Sequence, residues 1–196
     1  GEAYFSPDGK QVVFQSVRAG SPHYQIYMMN VDGSAQRMVS TGKGKTTCAY
    51  FNPAKPGTFL FASTHLDEST WPPVKKKGRG YTWDFDKSMD IFLAKSADGK
   101  IIKRLTSVKG YDAEGSYSPN GQQIVYTSTS EDPSGDLYIM NADGSGRKRL
   151  TNKPGYDGGP FFSPDGKRVV FRAFRAKGGE IAQVFTIKTD GTDETQ

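Results

Sequence analysis

The sequence predicts an all-β protein made of propeller blades, and three observations carry that expectation. A hairpin signature, an apolar run, Ser-Pro-Asp-Gly and a second apolar run, is written four times, once in degenerate form. A second hairpin centred on Asp-Gly follows each copy. The resulting unit of four short antiparallel strands recurs at about 45 residues, the period and strand count of a propeller blade.

The first copy is Ala3-Tyr4-Phe5-Ser6-Pro7-Asp8-Gly9-Lys10 with Val12-Val13-Phe14. Asp-Gly between β-branched and aromatic runs marks a tight turn, because glycine takes positive φ without steric cost and aspartate tolerates turn geometry. Pro7 fixes φ entering the turn and donates no ladder bond, which suits a strand end. Ile26-Tyr27-Met28-Met29-Asn30, Asp32-Gly33-Ser34 and Arg37-Met38-Val39-Ser40 complete the first unit. The second copy, Ala49-Tyr50-Phe51-Asn52-Pro53 and Phe59-Leu60-Phe61, has a longer turn and continues through Ile91-Phe92-Leu93, Asp98-Gly99 and Arg104-Leu105-Thr106. The third runs from Gly115-Ser116-Tyr117-Ser118-Pro119-Asn120-Gly121 through Ile124-Val125-Tyr126 and Leu137-Tyr138-Ile139-Met140-Asn141 to Arg149-Leu150-Thr151. The fourth is Phe161-Phe162-Ser163-Pro164-Asp165-Gly166-Lys167 with Val169-Val170-Phe171, then Val184-Phe185-Thr186-Ile187 and Asp190-Gly191-Thr192. The marker prolines Pro7, Pro53, Pro119 and Pro164 are 46, 66 and 45 residues apart. Blades are therefore expected at about 1–41, 46–106, 111–151 and 156–196, with an insertion at 64–90 and no helix.

Composition agrees with a turn-rich β protein: 12% aromatic residues and 23 glycines among 196 residues. A net charge of +5, from 26 basic and 21 acidic residues, is too small to indicate nucleic-acid binding by itself. No apolar run approaches the roughly 18 residues of a membrane span. Cys48 is the single cysteine, so no internal disulfide forms. Gly1-Glu2-Ala3-Tyr4 reads as an entry into the middle of a repeat, and 190–196 stop where an Arg-Leu-Thr-like outer strand is due. The expectation is a segment of a larger propeller, whose two end faces would otherwise lie open and favour association.

The FSPDGK…VVF, IYMMNVDGS and RLT elements resemble the TolB-like, WD-repeat-like propeller repeats of bacterial envelope proteins, across nearly the whole chain. The GKGKTTCAYF stretch and the long second-blade excursion are similar to a Tol biopolymer transporter-like subgroup. The resemblance implies a propeller of about six blades, exported to the periplasmic or extracellular side, that binds partner proteins and has no catalysis of its own. It is specific for fold and weak for function.

Two places depart from the repeat. The excursion 64–90 carries both tryptophans and a basic run, and Trp71, Lys75, Lys76, Lys77, Arg79, Tyr81 and Trp83 form its candidate partner-binding set. Loops of this length are uncommon unless functional or disordered, and tryptophan with arginine is hot-spot composition. The bland alternative packs the tryptophans onto their own blade with the lysines solvated. In a four-stranded meander this excursion leaves on the side where the chain enters each inner strand. Glu2, Asp112, Glu114 and Asp157 are therefore expected to ring one channel mouth beneath it. Carboxylates so grouped can hold a cation, but Asp112 and Asp157 are expected to bond their own turns instead, and no metal or cofactor is assigned.

No Gly-x-Ser-x-Gly elbow, His-Glu-x-x-His, phosphate loop or Cys-x-x-Cys is present. His23 and His65 read as solvated loop residues and Cys48 as a small core residue, so no catalytic residue is assigned. The function expected is a non-catalytic protein-binding scaffold of the cell envelope, fitting a subunit of a membrane-associated complex. The alternatives are a propeller that gates substrate for a hydrolase domain outside this segment, which a catalytic motif elsewhere would mark, and a propeller lyase, for which two histidines are too few ligands.

Overall fold

The computed structural model describes residues 2–18, 20–72, 85–175 and 181–196. Four antiparallel sheets follow one another along the chain. The first joins β1 (Ala3–Phe5), β2 (Gln11–Ser16), β3 (Gln25–Asn30) and β4 (Arg37–Met38). The second joins β5 (Thr46–Phe51), β6 (Thr58–Ser63), β7 (Asp90–Lys95) and β8 (Ile101–Arg104). The third joins β9 (Asp112–Tyr117), β10 (Gln123–Ser128), β11 (Asp136–Asn141) and β12 (Lys148–Arg149). The last holds β13 (Tyr156–Phe162), β14 (Arg168–Phe174) and β15 (Gln183–Lys188). Its fourth strand is reduced to a single bridge, Thr186 with Thr195, where a full strand was expected. A one-turn 3-10 helix at Glu68–Thr70, capped by the Asp67 carboxylate, is the only helical piece among the described residues.

The repeated residues build each blade by repeated bonds. In the first turn, Ser6 Oγ donates to Asp8 Oδ1 (2.6 Å) and accepts from Gln11 N (2.9 Å), while Gly9 takes φ +68°. Ser163 with Asp165 and Arg168 repeats this arrangement, as does Ser118 with Asn120 and Gln123. The Arg-Leu-Thr element closes the outer hairpin. Arg104 Nη2 donates to Asp90 Oδ2 and Arg149 Nη2 to Asp136 Oδ2, both at 2.5 Å. Thr106 and Thr151 accept from the buried Ile91 and Leu137 N–H groups at 2.9 Å. Blade 1 solves the same problem with neutral groups, Gln25 and Ser40, with Ser40 Oγ accepting from Ile26 N at 3.0 Å.

Strand alternation gives each blade two apolar faces, and successive blades stack unlike face on unlike face. Val13, Ile26 and Met28 of blade 1 pack on Phe51, Phe59, Phe61 and Phe92 of blade 2. Leu60, Ile91 and Leu105 pack on Tyr117, Ile124, Tyr126 and Tyr138 of blade 3. Val125, Leu137, Ile139 and Leu150 pack on Val169, Phe171 and Ile187 of blade 4. Each seam excludes water from several large side chains, worth roughly 1.5–3 kcal/mol apiece before conformational costs. The inner strands face a common axis, where Tyr4, Tyr50 and Phe161 meet with ring centroids 5.0, 5.8 and 6.1 Å apart. At one end of that axis the four marker prolines line a shallow well of about 330 Å³.

Candidate functional site

The other end of the axis is where the inner strands depart from regular pairing. β5, β9 and β13 each shift register against their neighbour, between Thr47 and Tyr50, opposite Val125 and Thr127, and between Gly158 and Phe161. The extra residue adopts the left-handed conformation: Cys48 at φ 54°, Glu114 at 58° and Gly159 at 61°. A bulge re-aims a side chain out of the ladder, and here it directs one residue per blade toward the axis. Glu2 holds the matching place in blade 1, its carbonyl accepting from Gln15 N at 3.2 Å.

Glu114 is the centre of this group. Its Oε2 accepts from Tyr156 Oη (2.6 Å) and Gly159 N (2.5 Å), and its Oε1 from Arg172 Nη2 (3.1 Å). Thr127 Oγ1 also donates to Oε2 at 3.3 Å; left-handed backbone is costly for a residue with a Cβ, and these four donors on one carboxylate compensate. Burial and then the Glu114 charge push the Tyr156 hydroxyl up, so it remains a donor. Burial, followed by Glu114, also raises Glu2, with a Cys48 hydrogen bond opposing. Cys48 sits between these carboxylates, its N–H donating to Gln15 Oε1 at 2.9 Å. Its thiol is raised well above its ordinary value by burial first and by Glu2 and Glu114 next. Cys48, read from the sequence as a small core residue, lies beside the axis and is only partly buried, and it is held as the thiol, a weak nucleophile.

Of the four acidic residues considered for the channel mouth, Glu2 and Glu114 lie at this end of the axis, and Asp112 and Asp157 do not face it. Asp112 opens β9 and Asp157 is the second residue of β13; each lies two residues before the bulge and is wholly buried. Alternation explains the separation, since the residues before the bulge still obey the regular pleat. Asp157 is held by Arg175, Oδ1 accepting from Nε at 3.0 Å. The position matching Arg175 in blade 3 is Ser130, and neither Asp112 oxygen has a hydrogen-bond partner. Burial pushes the Asp112 carboxyl up to about 6, against the pull of Ser128, Thr106 and Arg147.

The excursion reaches the mouth through its base. Phe85 packs on Tyr111 and Tyr156, with centroids 5.2 and 5.4 Å apart, and so touches the tyrosine that anchors Glu114. Lys45 pairs with Asp86 at 3.4 Å. Trp71 is half-buried on its own loop, Nε1 donating to the His65 carbonyl (3.3 Å) beneath the Lys43 ammonium. Lys75, Lys76, Lys77, Arg79, Tyr81 and Trp83 lie outside the described residues. Both histidines differ from the solvated loop residues expected. His65 is buried 4.4 Å from the Phe92 ring centroid, with Nδ1 at 3.0 Å from Ser63 Oγ, and His23 Nε2 donates to the Pro72 carbonyl at 3.0 Å. Among the described residues no group of three or more His, Cys, Asp or Glu side chains is placed to hold a metal ion.

Sequence reading missed Tyr156 and Arg172. The signal was available: Arg172 fills a second-strand position that is Gln15, Ala62 and Thr127 in the other blades.

Four-stranded meanders packed about an axis define the chain as a β-propeller. No family model matches the sequence. Among solved structures the chain is similar to a putative TolB from Agrobacterium tumefaciens, with a TM-score of 0.76 and 21% identity over 99% of this chain and 63% of that one. It is also similar to TolB from Acinetobacter baumannii, with a TM-score of 0.71 and 24% identity over 97% of this chain and 41% of that one. The chain has a TolB-like propeller fold and spans 63% and 41% of the lengths of these two proteins.

Proposed function

We propose that this chain is a non-catalytic, protein-binding propeller of the bacterial cell envelope, on its periplasmic or extracellular side. The partner would be taken at the axis mouth together with residues of the 64–90 excursion, whose base at Phe85 adjoins it. The observation that supports this reading is the convergence of Glu2, Cys48, Glu114 and Gly159 at one end of the axis, with Phe85 of the excursion resting on Tyr156 there. A mouth whose carboxylate is already satisfied by Tyr156, Gly159 and Arg172 is rigid, which favours recognition because little side-chain freedom is lost on binding. The same bonding leaves Glu114 poorly suited to accept a proton from a substrate. Basic and aromatic residues at 71–83 match the composition of binding hot spots.

The test is affinity capture from envelope extracts with three forms of the chain. A partner retained by the wild type should be lost with Arg172→Glu and retained with Lys55→Glu at the opposite end of the axis. Equal retention by all three would remove the mouth from the binding account.

A further inference from the structure

A cleft of about 220 Å³ lies between the base of the excursion and the loop that joins β10 to β11, lined by Phe85, Lys87, Lys109, Gly110, Thr129 and Pro133. Its walls are fixed by their own contacts. Phe85 rests on the Tyr111 and Tyr156 rings, with centroids 5.2 and 5.4 Å away. The turn carrying Lys87 is held by Asp86, whose Oδ1 accepts from Ser88 N at 3.1 Å and whose carbonyl accepts from Met89 N at 3.0 Å. Thr129 Oγ1 accepts from Tyr111 N at 2.8 Å, and Thr129 N donates to the Tyr111 carbonyl at 2.9 Å. Beside Pro133, Asp132 Oδ1 accepts from Ser134 N at 2.8 Å and from Ser134 Oγ at 2.6 Å. The cleft is therefore preformed, and little freedom is lost when it is filled.

Its chemistry combines an apolar floor with a cationic rim. Phe85, Gly110 and Pro133 supply the apolar surface, and Lys87 and Lys109 are exposed. Among the described residues neither lysine has an ion pair or a side-chain hydrogen bond. The acidic residues beside the lining positions in sequence are engaged elsewhere: Asp86 with Lys45, Asp132 with Ser134, and Glu131 with Arg147 and Arg149. Two unpaired positive charges at the rim of an apolar floor complement a ligand whose carboxylates flank an apolar group. The volume is below the roughly 300 Å³ at which small-molecule pockets begin, which suits one side chain of a peptide rather than a cofactor.

We propose that this cleft docks an acidic peptide segment of a partner protein. One apolar side chain of the segment seats against Phe85, Gly110 and Pro133, and the carboxylates on either side of it meet Lys87 and Lys109. The inference rests on the reading of the chain as a protein-binding propeller, and it adds a second contact joined to the mouth through Phe85.

The probe is a fluorescein-labelled peptide, Glu-Glu-Phe-Glu-Glu, titrated with the chain and read by anisotropy. Lys87→Glu/Lys109→Glu should weaken binding about tenfold or more, and added salt should weaken binding to the wild type in the same direction. Replacing the peptide's phenylalanine by alanine should also cost about tenfold. Lys10→Glu/Lys55→Glu, an equal change of net charge at exposed positions away from the cleft, should bind the peptide as the wild type does, with circular dichroism checking the fold of both variants. Equal binding by the two double variants, or of the two peptides, would overturn the inference. So would wild-type chain that sediments with phosphatidylglycerol vesicles and ignores the peptide, which would assign the lysines to a lipid surface. A partner captured by the wild type and lost with Arg172→Glu, while the peptide does not bind, would leave the mouth standing and remove the cleft.

Discussion

Replacing Asp112 by Asn should stabilise the protein at neutral pH, although it changes a buried side chain in the middle of a seam. Asp112 is fully buried between blades 2 and 3, and neither of its carboxyl oxygens has a hydrogen-bond partner. Burial raises it from 3.8 to about 6, with the Asp90 charge adding to the rise and Ser128, Thr106 and Arg147 opposing it. A folded-state value above the unfolded one means that the native protein binds the extra proton between pH 3.8 and 6. Stability from this group is therefore full below about pH 4 and falls as pH rises through 6. It stays low above that value. A rise of this size corresponds to roughly 3 kcal/mol. The amide that Asp112→Asn introduces has the shape of the protonated acid and no charge to desolvate. At pH 7.5 the variant should therefore gain about 3 kcal/mol, or roughly 6–12 °C in Tm for a domain of this size. Near pH 4 the gain should shrink below about 1 kcal/mol. Denaturant melts of both proteins at the two pH values decide it. A variant that is less stable at pH 7.5, or a gain that does not change with pH, would show that Asp112 has a partner in solution and refute the orphan account.

The matching aspartate should behave in the opposite way. Asp157→Asn leaves the nearly buried Arg175 without its main counter-ion and should cost about 3–5 kcal/mol in urea melts. Thr106→Val and Thr151→Val each strip the acceptor from a buried N–H and should each lower stability by about 1–3 kcal/mol. Gly99→Ala should destabilise more than Gly33→Ala, although both have positive φ. A Cβ at 99 would meet the Val39 carbonyl oxygen at 2.2 Å, while none lies within 4 Å at 33. Equal Tm losses would mean that the turn relaxes freely. Cys48 in the folded protein should react with a disulfide reagent at pH 8 far more slowly than in urea, because burial and two carboxylates disfavour its thiolate. Equal rates would place it in an open environment.

The blades were legible because the repeat writes local chemistry. Ser-Pro-Asp-Gly dictates its turn through bonds within five residues, and strand alternation sorts the faces without reference to distant parts of the chain. The mouth was legible only in part. Placing Glu2 and Glu114 there needed only the direction of the meander. Separating them from Asp112 and Asp157 needed the bulges, and a left-handed Cys48 or Glu114 carries no sequence mark of the kind Gly159 does. His65 escaped because its counterparts are arginines, Arg18 and Arg175. All three cap the same aromatic pair, and only an alignment of blades by structure brings them together.

That alignment also separates what is structural from what is particular to this chain. Arg104–Asp90 and Arg149–Asp136 recur with the same 2.5 Å geometry in consecutive blades, so each closes its own hairpin and neither marks a site. The Glu114–Tyr156–Arg172 group occurs once, crosses from blade 3 to blade 4, and lies where the bulges open the axis. An interaction that recurs at the same place in two blades is explained by folding, whereas one that a single seam adds needs another reason. On that criterion Arg172 is the first residue to change in any search for a partner, and the hairpin arginines are its controls. If Arg104→Gln impaired capture as much as Arg172→Glu in an equally folded protein, the separation between scaffold and site would fail.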